Sequence, residues 1–160
     1  MYKHPELSHR LLEMITTTTI EYLKGQISAG ADMVQIFDSW AGILTKDQYN
    51  EFGMKYVKSI CDAINTAPIT VFSKGAYFAL SDMKKLNCNT IGLDWNMDVS
   101  EAISIFGNSK TLQGNLDPCV LYGDFGTIEK KTKENGWPDN LKVGIISKEF
   151  NDFLNWAAQK

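Results

Sequence analysis

An α/β protein with a parallel sheet is the architecture this sequence predicts, and three observations predict it. Four short runs of strand-forming residues stand at Val34-Gln35-Ile36-Phe37, Ile69-Thr70-Val71-Phe72, Thr90-Ile91-Gly92-Leu93 and Thr111-Leu112-Gln113. Segments with the three-to-four-residue apolar spacing of helices separate them, and the runs begin roughly 20 to 36 residues apart, which leaves room for one crossover helix each time. Each run breaks off at a tip containing polar residues or glycine: Asp38-Ser39, Ser73-Lys74-Gly75, Asp94-Trp95 and Gly114-Asn115. Parallel α/β folds present their chemistry beyond the carboxyl ends of strands, so these tips are the candidate functional positions.

The elements follow in order. Pro5 and Glu6 suit the first turn of a helix reaching about Ala29, and Gly30 can close it in a left-handed conformation. Its apolar stripe is read as Leu12, Ile15, Thr19, Tyr22 and Gln26/Ile27; the run Thr16-Thr17-Thr18-Thr19 is weak helix material that packing must hold. The first strand is Met33–Phe37. Thr45-Lys46-Asp47-Gln48 has the spacing of a capping box, and Tyr49, Phe52, Tyr56, Ile60 and Ile64 extend that helix to about Asn65. A short helix over Tyr77–Leu86 follows the second strand. Asp98-Val99-Ser100-Glu101 opens a helix through Phe106, and Asp117-Pro118 opens another helical start. A helix over Thr127–Asn135, a fifth strand over Asn140–Ile146 and a last helix from Ser147 to Trp156 complete the reading.

Composition bounds the function. With 44 % hydrophobic and 22 % charged residues, 160 residues make one ordinary globular domain, spanning 1–160. A net charge of −3 disfavours a nucleic-acid partner, which would demand a basic surface. No apolar run approaches the roughly 20 residues that cross a bilayer, and Met1–Ser8 lacks a secretory apolar stretch. The expectation is a cytoplasmic protein with no membrane association. Cys61, Cys88 and Cys119 are odd in number and far apart, which suits reduced thiols. Arg10 is the only arginine. A closed barrel of eight βα units needs about 200 residues or more, so four to five units here make a partial (β/α)8 TIM barrel.

Taken together, the tips resemble the uroporphyrinogen decarboxylase family. The matching segments are Gly30 to Gly42 with its Ile36-Phe37-Asp38-Ser39-Trp40-Ala41-Gly42, then Phe72-Ser73-Lys74-Gly75, Gly92-Leu93-Asp94-Trp95, and Leu112-Gln113-Gly114-Asn115-Leu116-Asp117-Pro118. Four motifs in the right order, each on a different strand tip, carry the resemblance. It corresponds to the C-terminal half of that family's barrel. It implies a lyase of porphyrin and haem biosynthesis that removes carboxylate from the acetate side chains of uroporphyrinogen to give coproporphyrinogen. The family uses no metal or organic cofactor and usually works as a homodimer. Its arginine-rich signature, essential aspartate and active-site tyrosine belong to the other half of the barrel. Its Asn-Leu-Gly-His-Gly segment is matched here only by Asn140-Leu141, followed by Lys142-Val143-Gly144. The expectation is therefore a truncated chain, inactive or weakly active alone, that self-associates or pairs with a complementary N-terminal half. The alternatives are half of a split enzyme and a non-catalytic binding or scaffolding half barrel.

No residue is assigned to catalysis. Ser39 is the substrate-binding residue that the resemblance transfers, as a hydrogen-bond donor to a substrate carboxylate; it equally suits a cap on the strand-to-loop turn. Lys74 could meet an acidic tetrapyrrole or stand solvated. Asp38 is read as an anchor for its loop rather than a general acid, and Asp117-Pro118 as a helix start. Asp94 and Trp95 suit a pocket wall or the core, and Gly114 and Asn115 suit close approach of a ligand or a tight turn. His4 and His9 are five apart and share no face for a metal pair. Tyr49, Phe52 and Tyr56 read as core.

Overall fold

The computed structural model of the chain describes residues 1–134, which leaves the predicted strand at 140–146 and helix at 147–156 outside the described residues. Two compact units divide the chain, Met1–Pro118 and Cys119–Lys160. The first holds a helix α1 (Pro5–Ser28) and four strands, β1 (Val34–Asp38), β2 (Ile69–Ser73), β3 (Thr90–Gly92) and β4 (Thr111–Gln113). All pairings are parallel and the sheet order is β1-β2-β3-β4. Each strand therefore lies beside its predecessor, as around a barrel; a doubly wound sheet would reverse direction part-way.

Side-chain alternation divides the sheet into two faces. Val34, Ile36, Ile69, Val71 and Ile91 all enter one buried cluster with Leu23, Val57, Ile60 and Phe106 from the helices. The opposite face carries Phe37 and Phe72, which are register partners with rings 6.0 Å apart, edge to face. Phe37 is 67 % exposed there. An apolar ring on an open sheet face fits a barrel interior that is only partly enclosed.

Helix α1 forms as expected, but its buried stripe is turned by about one residue from the predicted one. Thr16 and Leu23 are buried and Leu12, Thr19, Ile20 and Ile27 half-buried, whereas Ile15 and Tyr22 are exposed. The threonines explain the error: Thr16 is a core contact that hydrophobicity does not flag. Thr17 and Thr18 return their hydroxyls to the carbonyls of Glu13 and Met14 at 3.0 Å, so the β-branched turn stays helical.

The second helical segment begins with the predicted capping box at Thr45 and Gln48. It is not continuous. α2 (Lys46–Tyr49) passes into a π-helical turn over Asn50–Met54 and then α3 (Lys55–Ala63), which ends two residues before the predicted Asn65. Gly53 lies under the Tyr49 ring, where a Cβ would come within 2.5 Å. The wide turn and the glycine together make room for that ring. Tyr49, Phe52 and Tyr56 are all core residues, as the periodicity predicts. His9 stacks on Phe52 at 4.6 Å and meets the Tyr56 hydroxyl at 2.7 Å, which docks α1 onto this segment.

The predicted helix over Tyr77–Leu86 is a 3-10 turn (Tyr77–Ala79) followed by the short α4 (Leu80–Met83). α5 (Val99–Phe106) starts at Asp98, whose carboxylate accepts the Glu101 amide at 2.8 Å. A 3-10 turn over Pro118–Tyr122 is followed, in the second unit, by α6 (Phe125–Glu134), at whose start Asp124 accepts the Thr127 amide. No helix among the described residues is long and apolar enough to cross a membrane.

Candidate active site at the strand tips

Asp38 is the last residue of β1 and shares the helix-facing side with Val34 and Ile36, so its carboxylate points away from the open face of the sheet. The hydroxyl of Tyr49 and the backbone amide of Trp40 are its hydrogen-bonding neighbours. Burial is the main influence on it and pushes its pKa up; those two donors hold it down in part. The anchor role predicted for Asp38 is what this geometry provides. A bond from an Asp side chain to the amide two residues on is an Asx-turn, and the residue at its apex is Ser39, which is exposed.

The next tip is locked onto the first. Ser73 lies opposite Asp38 in register, and its hydroxyl meets Tyr49 Oη at 2.8 Å. The Lys74 amide donates to the Asp38 carbonyl at 3.0 Å, and the Gly42 amide donates to the Lys74 carbonyl at 2.9 Å. Gly42 and Gly75 touch backbone to backbone: a Cβ on Gly42 would stand 2.8 Å from Gly75, and Gly75 itself has φ of +71°. Both positions demand glycine. The turns that carry Ser39 and Lys74 are thereby held side by side, each with its side chain exposed.

Asp94 completes the row at the end of β3. It is buried, and its two carboxylate oxygens accept the amides of Gly75 at 2.8 Å and Trp95 at 2.9 Å. From β4, Asn115 donates its side-chain amide to the carbonyls of Asp94 at 3.1 Å and Met97 at 2.7 Å. Asn115 thus serves as an internal clamp, a role its sequence position leaves open. Trp95 departs from a core reading: it is 52 % exposed, as Trp40, Ile43 and Tyr77 are exposed in or beside the loops that follow other strands.

Tyr49 is the site-shaping residue that sequence reasoning missed. Helical spacing placed it correctly in the core but gave no hint that its hydroxyl reaches two strand tips. Arg10 lies far from the row, on α1, where it lines an exposed groove with Glu13, Met14, Thr17 and Thr18. Among the described residues no three His, Cys, Asp or Glu side chains converge as a metal site would require.

Parallel strands in sequential order, with interlocked polar turns at their carboxyl ends and exposed Ser39 and Lys74 among them, define a segment of a β/α-barrel protein of the kind that binds ligands at its strand tips. The family model for uroporphyrinogen decarboxylase (URO-D) matches residues 1–137, so the chain belongs to the uroporphyrinogen decarboxylase family. It is 42 % identical over 144 residues to the uroporphyrinogen decarboxylase of Schizosaccharomyces pombe, covering 84 % of this chain and 40 % of that one. Against the Chlorobium luteolum uroporphyrinogen decarboxylase it is 42 % identical, covering 91 % of this chain and 46 % of that one. The chain therefore spans less than half the length of these curated relatives. A solved methyltransferase from Methanosarcina mazei superimposes with a TM-score of 0.73 at 22 % identity, over 84 % of this chain and 41 % of that one, which supports the fold alone.

Proposed function

We propose that the chain forms one wall of a uroporphyrinogen-binding site and takes part in decarboxylating the acetate side chains of that tetrapyrrole to give coproporphyrinogen. The observation that carries this reading is the pairing of the Ser39 and Lys74 turns at adjacent strand tips, in a chain of this family. Ser39 donates a hydrogen bond to one substrate carboxylate and Lys74 supplies a charge for another. The exposed Phe37 and Trp40 give the pyrrole rings an apolar surface beside them.

The reaction asks for more. A proton must be placed on a pyrrole carbon, the resulting cation draws electrons from the breaking bond to the carboxylate, and carbon dioxide leaves. A free carboxylate near that cation and several guanidinium groups on the remaining acids would stabilise the transition state. Asp38 and Asp94 are both committed to donors of the chain itself. Arg10 lies on the outside of α1. The remaining groups come, on this reading, from a complementary portion of a uroporphyrinogen decarboxylase chain. The exposed apolar side chains Leu7, Leu11, Met14, Ile15 and Tyr22 along α1 fit a neighbouring helix from that portion.

The test is to incubate the purified chain with uroporphyrinogen, alone and mixed with the N-terminal portion of a relative. Coproporphyrinogen is expected only from the mixture. Full turnover by the chain alone would remove the need for a complement. A chain that self-associates and ignores the added portion would favour a scaffold.

A further inference from the structure

We propose that Tyr49 is a positioning residue of the substrate wall: its hydroxyl, set between the Asp38 carboxylate and the Ser73 hydroxyl behind the sheet, fixes the turn that bears Ser39 against the turn that bears Lys74. The inference rests on the reading above, in which Ser39 and Lys74 receive substrate carboxylates.

The argument starts from parity. Along β1 the helix-facing positions run Val34, Ile36, Asp38, and along β2 they run Ile69, Val71, Ser73. In both strands an apolar series ends on a polar residue at the same register level, and a buried Tyr49, only 1 % exposed, meets both. A phenylalanine would fill the same stripe of the helix. Tyr49 and Ser73 are buried and Asp38 is half-buried, and withdrawing these polar groups from water costs desolvation that their hydrogen bonding offsets, so the hydroxyl has a task that packing does not explain.

The contacts form one chain. Tyr49 Oη and Ser73 Oγ share a hydrogen bond at 2.8 Å, and the same phenol neighbours the Asp38 carboxylate, which also interacts with the Trp40 amide that closes the turn around Ser39. An ionised carboxylate only accepts, so with Asp38 ionised the phenol donates to it and Ser73 donates to the phenol. Removing the phenol hydroxyl takes one of two donors from the half-buried Asp38 carboxylate and the hydrogen-bond partner from Ser73. Asp38 is then free to turn toward water and release Trp40, and Ser39 loses its fixed direction. The π-helical turn at Asn50–Met54 and Gly53 beneath the ring are the local distortions that let Tyr49 reach this point.

A double-mutant cycle on the full chain, read by fluorescence titration with uroporphyrin, tests the idea. Tyr49→Phe is expected to weaken binding about tenfold, the equivalent of one hydrogen bond to a charged group. Ser39→Ala should cost about the same, and the double variant should bind no more weakly than either single one, because Tyr49 acts through Ser39. Losses that multiply to about a hundredfold would mean independent, merely structural effects and would overturn the proposal, as would Tyr49→Phe binding like wild type. Circular dichroism checks that each variant is folded. If Tyr49→Phe is not, Ser73→Ala, which keeps the phenol in place, is run in the same cycle against Lys74→Ala, with the same non-additivity expected. A folded wild-type chain that binds no uroporphyrin would sink the substrate reading itself, and this inference with it; normal wild-type binding with an indifferent Tyr49→Phe sinks the inference alone.

Discussion

Asp94 reaches from the end of β3 to Gly75 at the end of β2, accepting its amide at 2.8 Å with one carboxylate oxygen while the other accepts the Trp95 amide. This bond joins those of Lys74 with Asp38 and Gly42 in holding the Lys74 turn to the sheet, where Gly75 has no side chain to pack. Asp94→Ala leaves two part-buried amides without acceptors and should destabilise the chain by about 2 kcal/mol. Asp94→Asn keeps one acceptor oxygen and should cost roughly half as much. Urea unfolding at neutral pH measures both, and an alanine variant as stable as wild type would show that the turn is held by something else.

Gly42→Ala tests the same junction from the other side. The added methyl would lie 2.8 Å from the Gly75 backbone, so the two loops must separate and the Gly42 amide must leave the Lys74 carbonyl. Overpacking of this kind costs about 1–3 kcal/mol. The expected signature is a lower urea midpoint together with weaker uroporphyrin binding. Gly25→Ala is the control, since nothing lies within 4 Å of that position and stability there should hold or rise.

The strands, their parallel order and the capping boxes were legible because each rests on local chemistry: β-branched runs, glycine tips, and Thr45 or Asp98 three residues before a paired amide. What was not legible rests on tertiary contact. Thr16 is buried although nothing in its type says so, which turned the predicted stripe of α1. The π-helical turn exists to seat one ring over Gly53, and no period announces an extra residue in a turn. Ser39 and Lys74 stand exposed at their strand tips, where position alone put them, whereas the Tyr49 hydroxyl that bonds Ser73 beneath them reads in the sequence as one more aromatic in a core stripe. Asn115 likewise hid inside a tip motif until its two bonds, to Asp94 and Met97, were visible.

Asp38 gives the chain a pH signature. Its folded pKa is raised, chiefly by burial, above the ordinary value of 3.8. A raised carboxylate binds its proton more tightly in the folded state, so its contribution to stability is fully present below pH 3.8 and is lost as pH rises through the folded pKa. Asp38→Asn removes that dependence. Compared with wild type, the variant should therefore look worst in acid and improve steadily as pH rises through the window above 3.8. Urea midpoints of both proteins at successive pH values decide it; a constant difference would mean that Asp38 titrates alike in both states.

The three cysteines should react in two classes. Cys61 and Cys88 are buried beneath the sheet, and burial pushes the Cys61 thiol up to about 12 and raises Cys88 as well. Cys119 is exposed. At mildly alkaline pH a thiol reagent such as Ellman's should label Cys119 quickly and the other two only as fast as the chain opens. Two fast thiols would contradict the buried placement of Cys61 or Cys88.

Helix α1 offers the sharpest test of the proposed complement, because its two apolar faces are separable. Leu12, Thr16 and Leu23 face the chain's own core, while Leu7, Leu11 and Met14 recur at four- and three-residue steps along an exposed face, with the exposed Tyr22 about two turns further on. A helix needs only one apolar face to pack on its own domain, so the second has no use unless another element covers it. Leu11→Glu with Met14→Lys should leave the urea midpoint of the isolated chain within about 0.5 kcal/mol, since neither side chain is buried there. The same pair placed against a neighbouring helix buries two charges whose i,i+3 attraction does not offset their desolvation, and should weaken association with the N-terminal portion of a relative by at least about thirtyfold. Size-exclusion chromatography and light scattering of the mixture read that loss directly. Unchanged association would place the complementary portion elsewhere on the chain, with the open sheet face around Phe37 and Phe72 the remaining surface to mutate.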